Sequence, residues 1–154
     1  MRIVLVEPDI PQNVGAAIRA AACFGAAVEI IGPCGFPLDS REVRRVAMDY
    51  GLLAPVRLHA GWQAFRACAE PPSRLVLLTT RGEDSLWDFR FAPGDAILLG
   101  RESAGAPEEV RAAVDAQVKI PMAPGARSLN LAVAAAVALA EARRQLAGRP
   151  PACG

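Results

Sequence analysis

Aromatic side chains are scarce in this chain: two Trp, one Tyr and five Phe make up 5% of 154 residues. Packing must come from Ala, Val and Leu. A hydrophobic fraction of 53% supplies enough of them for a substantial core and excludes a disordered chain. Lysine is nearly missing. Lys119 is the only one, and every other basic residue is arginine. Arginine's planar fork suits phosphate, although a codon preference for Ala, Gly, Pro and Arg is the favoured account of the excess as a whole. The formal net charge of +1 selects no partner. Histidine occurs once, at His59, with no acid or serine beside it in a triad motif. The four cysteines, Cys23, Cys34, Cys68 and Cys153, form no close pair, so zinc-ribbon and redox C-x-x-C motifs are excluded and no metal is expected. Scattered cysteines of this kind fit reduced thiols in the cytoplasm. The longest apolar run, residues 131–140, is too short to span a bilayer. The first residues meet Glu7 too soon to read as a signal peptide. A cytoplasmic protein without membrane association is expected. A G-x-G-x-x-G fingerprint is also absent after the first strand, which disfavours a nicotinamide-dependent oxidoreductase.

What is present is an alternation of apolar runs and helical segments. Residues 3–6, 28–31, 75–79, 96–99 and 117–120 read as strands covered on both faces, and residues 55–59 as a shorter one. Helices are expected from Asn13 to about Phe24 with Gly25 as the stop, from Ser40 toward Met48, over residues 62–69, after Pro107, and over residues 128–146. Residues 81–95 read as irregular, a lid or docking loop. This pattern defines an α/β fold with a mostly parallel sheet and helices on both faces, in one domain spanning residues 1–154 with a loose tail from residue 148. The last helix is apolar on nearly every side from residue 129 to 140. A helix apolar all round is buried all round, which points to a self-complementary dimer interface.

Two segments share one grammar of apolar strand, Pro/Gly loop and helix start. The first is residues 98–107, with Gly100, Glu102 and Gly105 in its loop. The second is residues 117–130, with Ile120, Met122, Ser128, Leu129 and Asn130, where Ser128 can cap the helix. Together they suggest one small-molecule pocket beyond the carboxyl ends of strands. Asn13, Gly15 and Arg19 form an N-x-G-x-x-x-R pattern at another strand-to-helix turn, which spacing alone explains as a helix cap and a solvated arginine. Glu102 could accept a ligand's hydrogen bond or cap the following helix. Trp62 and Trp87 read as packing residues, with a base or partner contact at Trp87 as the alternative. Arg41, Arg44 and Arg45 share a helix face and read as solvated.

These stretches, taken in order, resemble the SPOUT-class RNA 2′-O-methyltransferases. They are Asn13-x-Gly15-x-x-x-Arg19, then Leu99-Gly100-Arg101-Glu102-Ser103-x-Gly105-x-Pro107, then Ile120-Pro121-Met122 with Ser128-Leu129-Asn130-Leu131. The opening residues 3–13, Asp49-Tyr50 and Leu78-Thr79-Thr80-Arg81-Gly82 are similar to the small subgroup that modifies the tRNA wobble nucleotide. The resemblance implies a deep C-terminal trefoil knot, a homodimer through the last helix, and S-adenosylmethionine as methyl donor, leaving S-adenosylhomocysteine, without a metal. It implies cofactor contacts at Leu78, Thr79, Gly100, Glu102, Gly105, Ile120, Met122, Ser128 and Leu129. It implies active-site roles for Arg19, Asn13, Glu102, Ser128 and Asn130, and the tRNA anticodon stem-loop as partner. Ala16, Ala132 and Ala140 depart from residues common in relatives. Another tRNA or rRNA position, or a non-catalytic RNA- or cofactor-binding protein, are the alternatives.

Overall fold

The structure is a computed structural model that describes residues 1–37, 41, 45, 54–68 and 70–146. The helix expected from Ser40 toward Met48 falls almost wholly outside them, as do Asp49-Tyr50 and the tail.

Seven strands form one sheet in the order β3-β2-β1-β6-β4-β7-β5. They are β1 Arg2–Val6, β2 Ala27–Ile31, β3 Val56–His59, β4 Arg74–Leu78, β5 Asp84–Ser85, β6 Asp95–Leu99 and β7 Ala116–Lys119. Every pairing is parallel. Four helices are described: α1 Pro11–Phe24, α2 Trp62–Arg66, α3 Glu108–Ala113 and α4 Leu131–Leu146.

Strand alternation splits the apolar residues into two cores. Ile3, Leu5, Val28, Ile30, Val76, Ile97 and Leu99 face α1 and α4, where Val14, Ala17, Ala21, Ala135 and Leu139 meet them. Val4, Val6, Ile31, Leu77 and Leu98 face the other way, onto Trp62 and Phe65 of α2 and Val110 of α3. Both faces are covered, which is why the strands read as continuous apolar runs.

Several local expectations need correction. Asn13 does not cap α1. The helix starts two residues earlier on Pro11, whose fixed φ suits a first turn, and Ile10 is the N-cap without a side-chain bond. Asn13 is thereby a buried residue within the helix. Gly25 does end α1, at φ 64°, with its N–H returned to Ala21 and Ala22 carbonyls. Helix α4 starts at Leu131 rather than Ser128, because Asn130 supplies the cap: its Oδ1 accepts from Ala132 N–H at 2.9 Å and Val133 N–H at 3.3 Å. Residues 81–95 contain β5, two residues parallel to β7. Trp62 is buried and stacked on Phe65 at 5.4 Å, whereas Trp87 is 53% exposed and outside the core. In the single chain α4 buries one face, Leu131, Ala132, Ala135, Ala138, Leu139 and Ala142, and leaves Val133 48% exposed. The His59 ring is buried although the residue as a whole is partly exposed, and its Nε2 lies 2.6 Å from Glu29 Oε2, so the acid that sequence spacing does not reveal comes from the neighbouring strand.

Candidate active site

β1, β4, β6 and β7 run parallel and are adjacent in the order β1-β6-β4-β7, so the loops leaving their carboxyl ends gather at one edge. Two glycines allow these loops to close on themselves and each other. A Cβ at Gly100 would sit 2.1 Å from Ala106 N, because the loop doubles back there. The reversal is closed by Arg101 N–H to Gly105 O at 3.1 Å and Gly105 N–H to Arg101 O at 2.9 Å, with Gly105 at φ 73°. A Cβ at Gly82 would sit 2.5 Å from the Val118 carbonyl carbon, so the loop after β4 lies flat on β7. Thr79 N–H donates to Val118 O at 2.9 Å and Leu86 N–H to Lys119 O at 2.8 Å.

The loop after β1 grips three consecutive residues of the loop after β6. Glu7, at φ 49°, pairs with the Arg101 guanidinium. Asp9 N–H donates to Glu102 Oε2 at 2.8 Å. The Asp9 carboxylate accepts from the Ser103 hydroxyl and from Ser103 N–H at 3.1 Å. The Ser103 hydroxyl and then its N–H hold the Asp9 carboxyl below the usual carboxylate range against the opposing effect of burial, with the Arg101 charge adding the least.

From Glu102 a directional relay runs on to α4. Asn13 Nδ2 donates to Glu102 Oε1 at 2.8 Å. Asn130 Nδ2 donates to Asn13 Oδ1 at 2.7 Å. Asn130 Oδ1 then accepts from the first N–H groups of α4. Each amide orientation is forced: reversing any one of them would set donor against donor. Both Glu102 oxygens are acceptors in this arrangement.

These loops enclose a cleft of about 590 Å³, ordinary for a small-molecule site. Its walls include Leu78, Thr79, Gly100, Glu102, Gly105, Ile120, Met122, Ser128, Leu129, Asn13 and Asn130, so all but one of the site residues expected from sequence meet there. The exception is Arg19. It lies six residues beyond Asn13, about 120° around the helix axis, is exposed, and is not part of the wall. Sequence reading gave no site role to Asp9, Ile10, Ser103, Arg81 or Arg111, and all of these but Asp9 line the cleft. Nothing local marks Asp9, whose partners are 93 and 94 positions away.

Parallel strands, loops at their carboxyl ends and a polar-rimmed apolar cleft define an α/β enzyme with a small-molecule cofactor site. The sequence profile of the SpoU rRNA Methylase family matches residues 1–140, and the chain belongs to that family. It is 50% identical over 145 residues to the tRNA (cytidine(34)-2′-O)-methyltransferase of Beijerinckia indica, covering 94% of this chain and 91% of that one. Against the enzyme of the same name from Ancylobacter novellus it is 48% identical over 149 residues, covering 96% and 94%. A structure solved for insights into 2-OH methylation of C/U34 on tRNA superposes with TM-score 0.89 at 46% identity, covering 96% of this chain and 97% of that one. The SpoU methyltransferase AviRb from Streptomyces viridochromogenes, solved in complex with the cofactor AdoMet, superposes with TM-score 0.83 at 30% identity over 94% of this chain and 60% of its own.

The cleft fits S-adenosylmethionine by its donor set. Leu77, Leu78, Leu99 and Ile120 offer an apolar wall for an adenine, Arg81 and Arg111 offer cations for a carboxylate, and Glu102 offers the one carboxylate among the described lining residues for positive charge. Among the described residues no group of His, Cys, Asp and Glu could hold a metal ion, and no helix is long and apolar enough to cross a membrane.

Proposed function

We propose that this chain transfers a methyl group from S-adenosylmethionine to the ribose 2′-oxygen of the wobble nucleotide, cytidine or uridine 34, in the anticodon stem-loop of tRNA, acting as a cytoplasmic homodimer built from one catalytic domain. The observation that carries the reading is the match, along nearly the whole of both chains, to enzymes named for cytidine 34.

When bound, S-adenosylmethionine supplies a methyl group activated by a sulfonium. The protein's task is to hold that methyl in line with a sugar oxygen, and much of the acceleration comes from alignment. Leu78, Thr79, Gly100, Gly105, Ile120 and Met122 hold the cofactor through the three strand-end loops. Ser128 and Leu129, both exposed at the rim, close over it. The Glu102–Asn13–Asn130 relay fixes those loops relative to one another.

Arg19 is assigned to the RNA. A guanidinium stays protonated, so its role is to clamp the phosphate beside the target ribose and to stabilise negative charge growing on the 2′-oxygen. A second copy of the chain would bring its Arg19 to this cleft. Support for such a pairing lies in Ile10, Leu129 and Val133, at least 40% exposed around the start of α4, where a two-fold partner would cover them. The close packing of Gly82 on β7 supports the C-terminal trefoil knot that the resemblance implies.

Incubation with tritiated S-adenosylmethionine and tRNA, followed by mapping of the labelled nucleoside, tests the reading. Label at the 2′-oxygen of nucleotide 34 is expected. Label at another tRNA or rRNA position, or cofactor binding without transfer, overturns it. Arg19→Ala is expected to abolish transfer and spare cofactor binding measured by calorimetry.

A further inference from the structure

Glu102 differs from Glu29, Asp95 and Glu141 in the character of its partners. Glu29 meets Arg2 and His59, Asp95 meets Arg74, and Glu141 meets Arg144. Among the described residues Glu102 meets only the Asp9 N–H and the Asn13 amide. Among the described residues, no cation lies within ion-pair distance of it. Its neighbour Arg101 is turned to Glu7 and is engaged there. The relay therefore holds a carboxylate at the cleft wall through neutral donors and leaves its charge without an ion-pair partner among the described residues.

Such an arrangement stabilises a cation that enters the cleft, because two neutral hydrogen bonds hold the anion in place and a partly enclosed site screens it less than water would. The methyl donor and the spent cofactor differ by one charge: the sulfonium of S-adenosylmethionine becomes the neutral thioether of S-adenosylhomocysteine. We infer that Glu102 is a specificity-determining residue that uses its uncompensated charge to favour the sulfonium form of the cofactor over the demethylated product. The inference rests on the reading given under Proposed function. It adds that the same residue which ties the loops together also sorts substrate cofactor from product, lowering product retention after each turnover.

The test is binding, measured by calorimetry, with three probes that share the adenosine and amino-acid parts. S-adenosylmethionine carries a sulfonium, sinefungin carries an ammonium in its place, and S-adenosylhomocysteine carries no charge there. Wild-type protein is expected to hold both cationic probes more tightly than the neutral one. Glu102→Gln is expected to shrink that preference by about tenfold, through weaker binding of the two cations. Asn13→Ala breaks the relay but keeps the carboxylate, so it is expected to weaken all three probes alike and leave the preference intact. Three outcomes overturn the inference: equal wild-type affinity for all probes, an equal loss for all probes in Glu102→Gln, or loss of the preference in Asn13→Ala. The second would assign Glu102 to the amino group that all three share, or to loop support alone. Should Glu102→Gln fail to fold, as read by its melting curve, the wild-type series and Asn13→Ala decide the question. Failure of wild-type protein to bind any of the three would instead remove the methyltransferase reading.

Discussion

Glu29 and Glu102 each spend both carboxylate oxygens on partners inside the molecule, but they do so in opposite ways. Glu29 sits at mid-sheet, 3% exposed, with Arg2 Nη1 on one oxygen and His59 Nε2 on the other, both at 2.6 Å. It joins β1, β2 and β3, which are hydrogen-bonded neighbours already. Glu102 stands at the sheet's edge beside a cleft and joins segments that no strand pairing unites: the loop after β1, helix α1 and, through Asn13, the start of α4. The first cluster neutralises charge with charge. The second positions charge with neutral donors. Buried ion pairs cost desolvation that their attraction only partly returns, so the first arrangement serves a fixed core. The second keeps a field available to whatever enters.

Three measurements would break or sharpen this contrast. The largest effect is expected from Glu29→Ala. Removing the shared carboxylate leaves Arg2 and His59 without their common partner, and urea denaturation should show a loss of about 3 kcal/mol. Cofactor affinity should hardly change. A fall in affinity comparable to that of Asn13→Ala would erase the distinction between the two clusters. Asn130→Ala should be milder for stability, about 1 kcal/mol for the lost cap, yet severe for methyl transfer because Asn13 loses its donor. The smallest effect concerns acid. The Arg144 guanidinium, helped by Gln145, pulls the Glu141 carboxyl down to about 2 from its usual 4.5. A depressed folded-state value stabilises the protein above the unfolded value, and that contribution fades as pH falls from about 4.5 toward 2. The melting temperature of Glu141→Gln, followed from pH 6 to 2, should lack this component while the rest of the acid response persists.

Local grammar carried most of the architecture. Continuous apolar runs between glycine and proline loops announced buried parallel strands, and covered faces on both sides are what the two cores supply. The loops at residues 100–107 and 120–130 were legible for the same reason. Caps were misread where two candidates stood within two positions. Ser128 and Asn130 both suit a helix start, and the bonds that Asn130 Oδ1 accepts from Ala132 and Val133 N–H decide between them. The grip of Asp9 on Ser103 was illegible, since it joins residues 94 positions apart without any local pattern. Trp87 was misjudged because composition says that large aromatics are buried, while its place after the two-residue strand β5 turns it outward. Arg19 was singled out by motif, and the single chain leaves it off the cleft wall.

The bond between Asn13 and Asn130 also spans 117 positions of the chain, and this sets an order of events during synthesis. A growing polypeptide that has already laid down β1, α1 and β2 holds Asp9 and Asn13 but none of their recipients. Glu102 arrives long afterwards, and Asn130 later still, together with the helix it caps. No partly translated form can therefore hold a finished cleft, so any methyl-transfer competence would be acquired all at once, after the last helix has emerged.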